Sequence, residues 1–204
     1  MFRNIFICSL VLLSYAAFGF AAVKNTQVRP IDCAPQLKNS LTAIQKLPDA
    51  NKLIAAIQQE GPIRILTNNT QLSQQFGAFW DADNRIIFVN FTPHASQGEI
   101  IGSILFELHN AAINSKLDHL DALASSGKIK KEDYVRAVEY LEYQNSLKAS
   151  KIAQEGIDLG IFPASAHLPT YSNFEEHFRY QKIGGHSSWI AHTFDQLSRE
   201  RKMM

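Results

Sequence analysis

Residues 104–112 read ILFELHNAA and place three chemically active side chains, Glu107, His109 and Asn110, in the most apolar helical segment of the chain. A carboxylate can act as a general base or bind a metal ion, an imidazole can do either, and a carboxamide can orient both through hydrogen bonds. Burial of such groups is unfavourable unless they are paired or face a cavity. A functional site is therefore expected here first.

A line of polar residues runs along the helix that contains Glu107. At 100° per residue these side chains fall between two apolar faces of the helix, so the helix is expected to be covered on two sides. The polar line consists of Ser103, Glu107, Asn110 and Asn114. Because a polar line on a buried helix must be paired or must face a cavity, these residues form a candidate cluster or binding surface.

A second long helical segment repeats the same Glu-x-x-Asn spacing. Glu142 and Asn145 lie three residues apart, as Glu107 and Asn110 do, so each pair projects in one direction. If the two helices pack as an antiparallel hairpin, both pairs meet in one buried cluster, to which we add Glu139. Neighbouring buried carboxylates need a cation, a shared proton or hydrogen-bond donors.

The order of elements in residues 62–116, with two short strands around a turn and then a capped helix with a central glutamate, resembles the core of zincin metallopeptidases. In that family the helix carries HExxH, in which two histidines bind zinc and the glutamate is the general base. Aligned on Glu107, this chain has Phe106 and Asn110 in place of the two histidines. The resemblance implies a zincin-like fold without the standard zinc site.

The other family positions are matched by residue type only. His109 is displaced by one position, about 100° around the helix, from the place of the second ligand. Glu139 or Glu142 resembles the third, glutamate ligand of some zincins. The resemblance implies a catalytic role for Glu107 only if the protein is an enzyme.

Three interpretations of this site stay open. In the first, the polar residues are an internal network that orients two helices. In the second, they belong to a cleft that binds a peptide or macromolecular partner without turnover, and residues 85–90 form an edge strand that accepts an extended peptide. Alternatively, histidines near the chain end complete the site of a metal-dependent hydrolase, which would suit zinc or another divalent ion. We favour the binding interpretation and no metal; if a metal binds, the candidate imidazole ligands are His109, His177 and His186.

The first 22 residues predict a secretory signal peptide, with an early cation at Arg3, an apolar run and small residues at Ala21 and Ala22. A membrane anchor is the alternative, but polar residues dilute the run below the roughly 20 apolar residues that span a bilayer. Cleavage removes Arg3 and lowers the formal charge from +1 to 0, which argues against nucleic acid as a partner. We expect a secreted or periplasmic protein with no membrane span after cleavage.

Cys33 is the only cysteine that remains after such cleavage, because Cys8 lies in the signal segment. A single cysteine in an exported protein is either a buried thiol or a residue that pairs with another molecule. The sequence favours the buried thiol.

The elements that position these residues can be read from hydrophobic periodicity and turn residues. The strands are expected at residues 62–67, 78–80 and 85–90, the last two as a hairpin. The helices are expected at residues 37–47, 49–59, 96–115 or 96–124, 132–157, 173–182 and 187–198. With 46% hydrophobic residues, the chain from residue 23 to 204 suits a single α+β domain, helix-dominated, with a small antiparallel sheet on a long central helix.

Overall fold

The computed structural model describes residues 28–68, 77–92 and 94–203. Within these residues it contains seven α-helices, two short 3-10 helices and a four-stranded sheet, which confirms the predicted helix-dominated α+β domain. The signal peptide predicted at residues 1–22 lies outside the described residues. No helix in the described part of the chain combines the length and the apolar character needed to cross a membrane.

The helices and strands are numbered in chain order. The α-helices are α1 Lys38–Ile44, α2 Pro48–Ile57, α3 Gln97–Ala112, α4 Asn114–Ser126, α5 Lys131–Asp158, α6 Phe174–Gly184 and α7 His186–Met203. The strands are β1 Asp32–Cys33, β2 Arg64–Thr67, β3 Ala78–Asp81 and β4 Ile86–Val89. The two 3-10 helices are Pro35–Leu37 and Ala164–Ala166.

The sheet has the strand order β1-β2-β4-β3. The predicted hairpin is present, since β3 pairs with β4 in antiparallel register from Ala78 opposite Val89 to Asp81 opposite Ile86. The pairs β1–β2 and β2–β4 are parallel, so the sheet is mixed and not wholly antiparallel as expected. The prediction that residues 85–90 form an edge strand is wrong. The run Ile-Ile-Phe-Val of β4 is apolar on both faces, which is typical of a strand in a sheet that is covered on both faces. Among the described residues β1 and β3 are the outer strands.

Helix α3 is the central element. Its N-terminus has the predicted capping box, in which the Ser96 side chain accepts from the Glu99 backbone N–H at 3.2 Å and the Glu99 carboxylate accepts from the Ser96 N–H at 2.8 Å. Its apolar face is fully buried against α1, α2, α5 and the sheet. The helix ends at Ala112, because Ile113 has a non-helical backbone, and α4 begins at Asn114. Two helices therefore replace the single helix expected to reach residue 115 or 124.

Helix α5 connects two apolar clusters. Ala149 and Ile152, in its second half, belong to the main core around α1–α3 and the sheet, whereas Tyr134 and Val138 belong to a smaller cluster with α4 and α7. The polar residues predicted on α5 lie between these two clusters. This arrangement places them at the junction of the two halves of the fold.

Cys33 lies in β1 as a free, buried cysteine, 8% exposed. Burial raises the pKa of its thiol, which lowers the thiolate fraction and hence its reactivity. Both features fit the buried-thiol alternative.

Candidate functional site

Glu107 lies on a buried side of α3, with 6% of its surface exposed. The Asn110 side-chain amide donates to Glu107 Oε2 at 3.0 Å, and the Asn145 amide of α5 donates to Asn110 Oδ1 at 2.9 Å. Three of the predicted polar residues therefore form one chain of hydrogen bonds between the two long helices. Because α4 separates α3 from α5 in sequence, these helices are not the directly connected hairpin that we considered.

Burial raises the pKa of Glu107 to about 7. The hydrogen bond from Asn110 and the backbone of Trp80 favour the charged form, while the neighbouring Glu142 carboxylate opposes it. This carboxyl therefore titrates nearer to neutral pH than an exposed glutamate does. A group that titrates there can both accept and donate a proton, as general acid–base chemistry requires.

Glu139 on α5 is fully buried and is surrounded by donors from α6 and α7. The Ser187 hydroxyl donates to Glu139 Oε1 at 2.6 Å, His186 Nδ1 lies 3.2 Å from the same oxygen, and His177 Nε2 lies 3.3 Å from Oε2. Burial by itself would raise the pKa of Glu139, but these neighbours outweigh it and hold the pKa at about 2. Glu139 is therefore a charged carboxylate at neutral pH.

His186 bridges two carboxylates of α5. Its Nε2 atom lies 3.5 Å from Glu142 Oε2, on the opposite side of the ring from Glu139. Burial raises the pKa of Glu142 to about 7, although the His186 ring favours the charged carboxylate. Burial lowers the pKa of His186, but the neighbouring carboxylates raise it by more, so the net shift is upward. The ring therefore lies between two carboxyl groups whose pKa values are shifted in opposite directions.

The turn between α6 and α7 places these residues. Gly185, with φ of 88°, adopts the left-handed conformation that ends α6 and allows α7 to begin directly at His186. The first residues of α7 then face α5. His177, on α6, is 3% exposed and packs against the rings of Tyr143 and Tyr171.

Several buried polar atoms of this group have no hydrogen-bond partner among the described residues. They are Glu139 Oε2 and both ring nitrogens of His177. The 3.3 Å distance between Glu139 Oε2 and His177 Nε2 allows an ion pair but lacks hydrogen-bond geometry. Since buried polar groups are nearly always satisfied, these atoms are candidates for contact with a ligand or ion.

A cavity of about 440 Å³ opens in front of Glu107, Glu142 and His186. Strand β3 and helices α3, α4, α5 and α7 contribute to its wall. The aromatic residues of the wall are Phe79, Trp80, Phe106, Tyr134 and Trp189. The carboxyl groups of the wall are Glu107, Asp118, Asp121 and Glu142. The cavity is thus both aromatic and acidic.

A second cavity, of about 340 Å³, lies on another side of α3. Its wall includes Ser103 and the segment 165–169, and it also reaches Phe106 and Glu107. Glu107 therefore borders both cavities. Ser103, the first residue of the predicted polar line, lines this second cavity and not the main one.

Another polar group lines the main cavity and was not predicted as a unit. The Trp80 indole donates to Asn114 at 2.9 Å, Asn114 donates to Asp118 at 2.9 Å, and the Tyr134 hydroxyl donates to Asp121 at 2.6 Å. Burial raises the pKa of Asp121, while the Tyr134 hydroxyl lowers it. The sequence pattern does not reveal the carboxylates of α4, because it predicts that α3 continues past Ile113 and so gives these side chains the wrong direction.

The residues at the family positions for zinc do not fit that ion. Phe106 offers no ligand atom, and the Asn110 amide is engaged by Glu107 and Asn145. His109 is buried outside the Glu139 cluster, and burial together with Lys148 lowers its pKa to about 4. His177 and His186, in contrast, reach Glu139, which fits the expectation that histidines near the chain end approach the helices.

Comparisons of the chain with protein-family models, with curated proteins and with solved structures found no match. The zincin resemblance of residues 62–116 therefore stays a prediction from the sequence.

Proposed function

We propose that this chain is an exported, non-catalytic, zincin-like protein that binds a peptide segment of a partner in the cavity of about 440 Å³. The observation that carries the proposal is the position of β3. Within the described residues this strand pairs only with β4, and Ala78, Phe79 and Trp80 form part of the cavity wall. An extended peptide can add to such an edge through its backbone while its side chains enter the cavity. Export is supported by the signal-like residues 1–22.

The charged and aromatic residues of the cavity wall indicate which peptide side chain binds there. Four carboxyl groups line the cavity against one imidazole, His186, and the lining residues described here include no Lys or Arg. A negative, partly aromatic cavity favours a Lys or Arg side chain, whose stem packs on the rings while its charge meets the carboxylates. Asp118 and Asp121, on α4, are the expected contacts of that charge.

The proposal of binding without turnover is supported by the residues of α3, the helix that would carry the chemistry in a zincin. Phe106 and Asn110 replace both metal-binding histidines, and Asn110 is committed to hydrogen bonds inside the protein. Of the three motif positions, only Glu107 has the residue type found in zincins. A cleft that keeps its wall but lacks these ligands is suited to binding.

Tryptophan fluorescence tests the proposal directly, because Trp80 and Trp189 are the only tryptophans of the chain and both line the cavity. The titrants are a blocked six-residue peptide with a central Lys and the same peptide with Gln at that position. We expect a saturable change with the Lys peptide and at least tenfold weaker binding of the Gln peptide. Asp118→Asn should weaken Lys-peptide binding, whereas Asp133→Asn, an exposed change at the start of α5, should not.

Two outcomes would overturn the proposal. Equal binding of both peptides, or no fluorescence change with either, would show that the cavity does not select a positively charged side chain. Cleavage of the peptide, detected by mass spectrometry, would show that the protein is an enzyme.

A metal-dependent hydrolase is the second candidate, and the cluster of Glu139, Glu142 and His186 favours it, since one ligand-type atom from each lies within 4.8 Å of the others. A bound divalent ion would polarise a substrate carbonyl. Glu107, with its pKa near 7, would hold the proton of the attacking water. Peptide cleavage that requires a divalent ion and is abolished by Glu107→Gln would support this candidate.

A further inference from the structure

We infer that His186 and Glu142 form a binding site for a divalent transition-metal ion at the inner wall of the cavity, with Glu139 as the residue that orients the imidazole. The inference goes beyond peptide binding, because the site is built from α5 and α7 alone and needs no peptide. It uses the same cluster as the hydrolase candidate but concerns only the binding of the ion, which requires no turnover. It also differs from the metal position of zincins, since neither residue lies on α3.

The distance between the two ligand atoms supports this site. His186 Nε2 and Glu142 Oε2 lie 3.5 Å apart, which is longer than an ordinary hydrogen bond between a nitrogen and an oxygen. Two atoms bound at about 2.0–2.1 Å to one tetrahedral zinc ion lie about 3.3 Å from each other. An ion between them therefore requires only a small adjustment of the side chains.

The far side of the imidazole is arranged as in metal sites. His186 Nδ1 lies 3.2 Å from Glu139 Oε1, which also accepts from the Ser187 hydroxyl at 2.6 Å. A histidine that binds a metal nearly always directs its other ring nitrogen to a carboxylate or carbonyl, which fixes the tautomer and the ring plane. Glu139 supplies this contact and leaves Nε2 turned toward Glu142.

Polar atoms with unused hydrogen-bonding capacity lie beside the site, at the oxygen of Glu139 that faces His177. Glu139 Oε2 and both nitrogens of His177 are buried without a hydrogen-bond partner among the described residues, and the two residues are 0% and 3% exposed. Glu139 Oε2 lies 3.3 Å from His177 Nε2, whereas the proposed ion lies at the far end of the His186 ring, next to Glu142. We therefore do not count these atoms as ligands of the ion.

The ligand types select the class of ion. An imidazole combined with carboxylates suits zinc, manganese or iron, whereas magnesium and calcium prefer oxygen ligands only. The cavity beside Glu142 leaves room for water or a further ligand atom, and Glu107 lines the same cavity. We therefore expect Zn²⁺ to bind and Mg²⁺ to bind far more weakly.

Calorimetric titration of the protein, purified without a histidine tag and freed of metal by a chelator, tests the inference with Zn²⁺ alone. We expect one ion per chain. His186→Gln and Glu142→Gln should each weaken Zn²⁺ binding at least 100-fold. The matched controls are His192→Gln on α7 and Glu155→Gln on α5, which leave the cavity unchanged and should bind as the unmodified protein does.

Ser187→Ala is the second kind of variant, because it keeps both ligands and removes only a hydrogen bond to Glu139. Ser187 contacts Glu139 and not the ligand His186 itself, so we expect a loss of Zn²⁺ affinity of roughly 10-fold, at the low end of the range for outer partners. Thermal denaturation of every variant without metal identifies any variant that fails to fold. If a ligand variant does not fold, the Zn²⁺ affinity of Ser187→Ala is compared with that of the unmodified protein instead. We expect Ser187→Ala to weaken Zn²⁺ binding less than either ligand substitution does.

Three outcomes would overturn the site: no stoichiometric Zn²⁺ binding by the unmodified protein, binding that survives both ligand substitutions, or equal binding of Mg²⁺. Because no peptide is present, these outcomes leave the peptide proposal untouched. Conversely, failure of both peptides to bind would leave the metal site standing.

Discussion

Asn145 of α5 donates a 2.9 Å hydrogen bond to Asn110 of α3, and Asn110 in turn donates to Glu107 at 3.0 Å. This pair of carboxamides joins α3 to α5 and holds the Glu107 carboxyl at the cavity wall. Asn145 and Asn110 are 1% and 7% exposed, so water does not replace either bond easily.

Removal of Asn145 should therefore destabilise the fold. In Asn145→Ala the buried Asn110 oxygen loses its donor, and we expect the free energy of unfolding in urea to fall by about 1–3 kcal/mol. The control on the same helix is Gln154→Ala, which removes an exposed bond to Asp158 and should change the stability by less than about 0.5 kcal/mol. Similar losses in both variants would mean that the carboxamide bridge contributes nothing specific.

Glu107→Gln should change how stability depends on pH. A carboxyl whose pKa rises from 4.5 to about 7 on folding holds its proton more tightly in the folded state, so stability falls as the pH rises through this window. The Gln variant lacks this fall and can still accept from Asn110. As the pH rises from 4.5 to 8, the free energy of unfolding of the variant should therefore increase by up to about 3 kcal/mol relative to that of the unmodified protein. A difference in unfolding free energy that stays constant with pH would contradict the raised pKa.

Glu139→Gln should have the opposite dependence. The pKa of Glu139 falls from 4.5 to about 2 on folding, so its contribution is fully present above pH 4.5 and is lost as the pH falls toward 2. At pH 7 the variant leaves His186 without its charged partner, and we expect a loss of about 3 kcal/mol in unfolding free energy. Denaturation at pH 7 and pH 3 measures this, and a penalty that grows in acid would refute it.

Gly98 allows the 3-10 helix Ala164–Ala166 to approach α3. A Cβ atom at Gly98 would lie 2.3–2.4 Å from atoms of Ser165 and Ala166, including backbone that cannot easily move. Gly98→Ala should therefore lower the unfolding free energy by about 1–3 kcal/mol. In α6, a Cβ at Gly184 meets no described atom within 4 Å, so Gly184→Ala should be neutral or slightly stabilising. Equal melting temperatures for the two variants would contradict the close approach.

The sequence by itself determined the features that depend on neighbouring residues. Three such features are the Ser96–Glu99 capping box, the β3–β4 hairpin and the pairing of Glu107 with Asn110. Each joins residues that are three apart in the sequence or lie on two strands connected by a short turn. Side-chain spacing and turn residues fix such contacts before any long-range packing forms. The apolar faces of α3 likewise identified it as the central helix.

Only the tertiary structure decided how distant segments meet. Ile113 breaks the apolar helix so that α4 packs on α7, and β4 takes the middle of the sheet through its parallel pairing with β2. His186 and Ser187 reach Glu139 across 47 and 48 residues of chain. Their contact depends on the joint packing of α4, α5, α6 and α7, because no local preference of a histidine or a serine specifies which buried carboxylate it will meet.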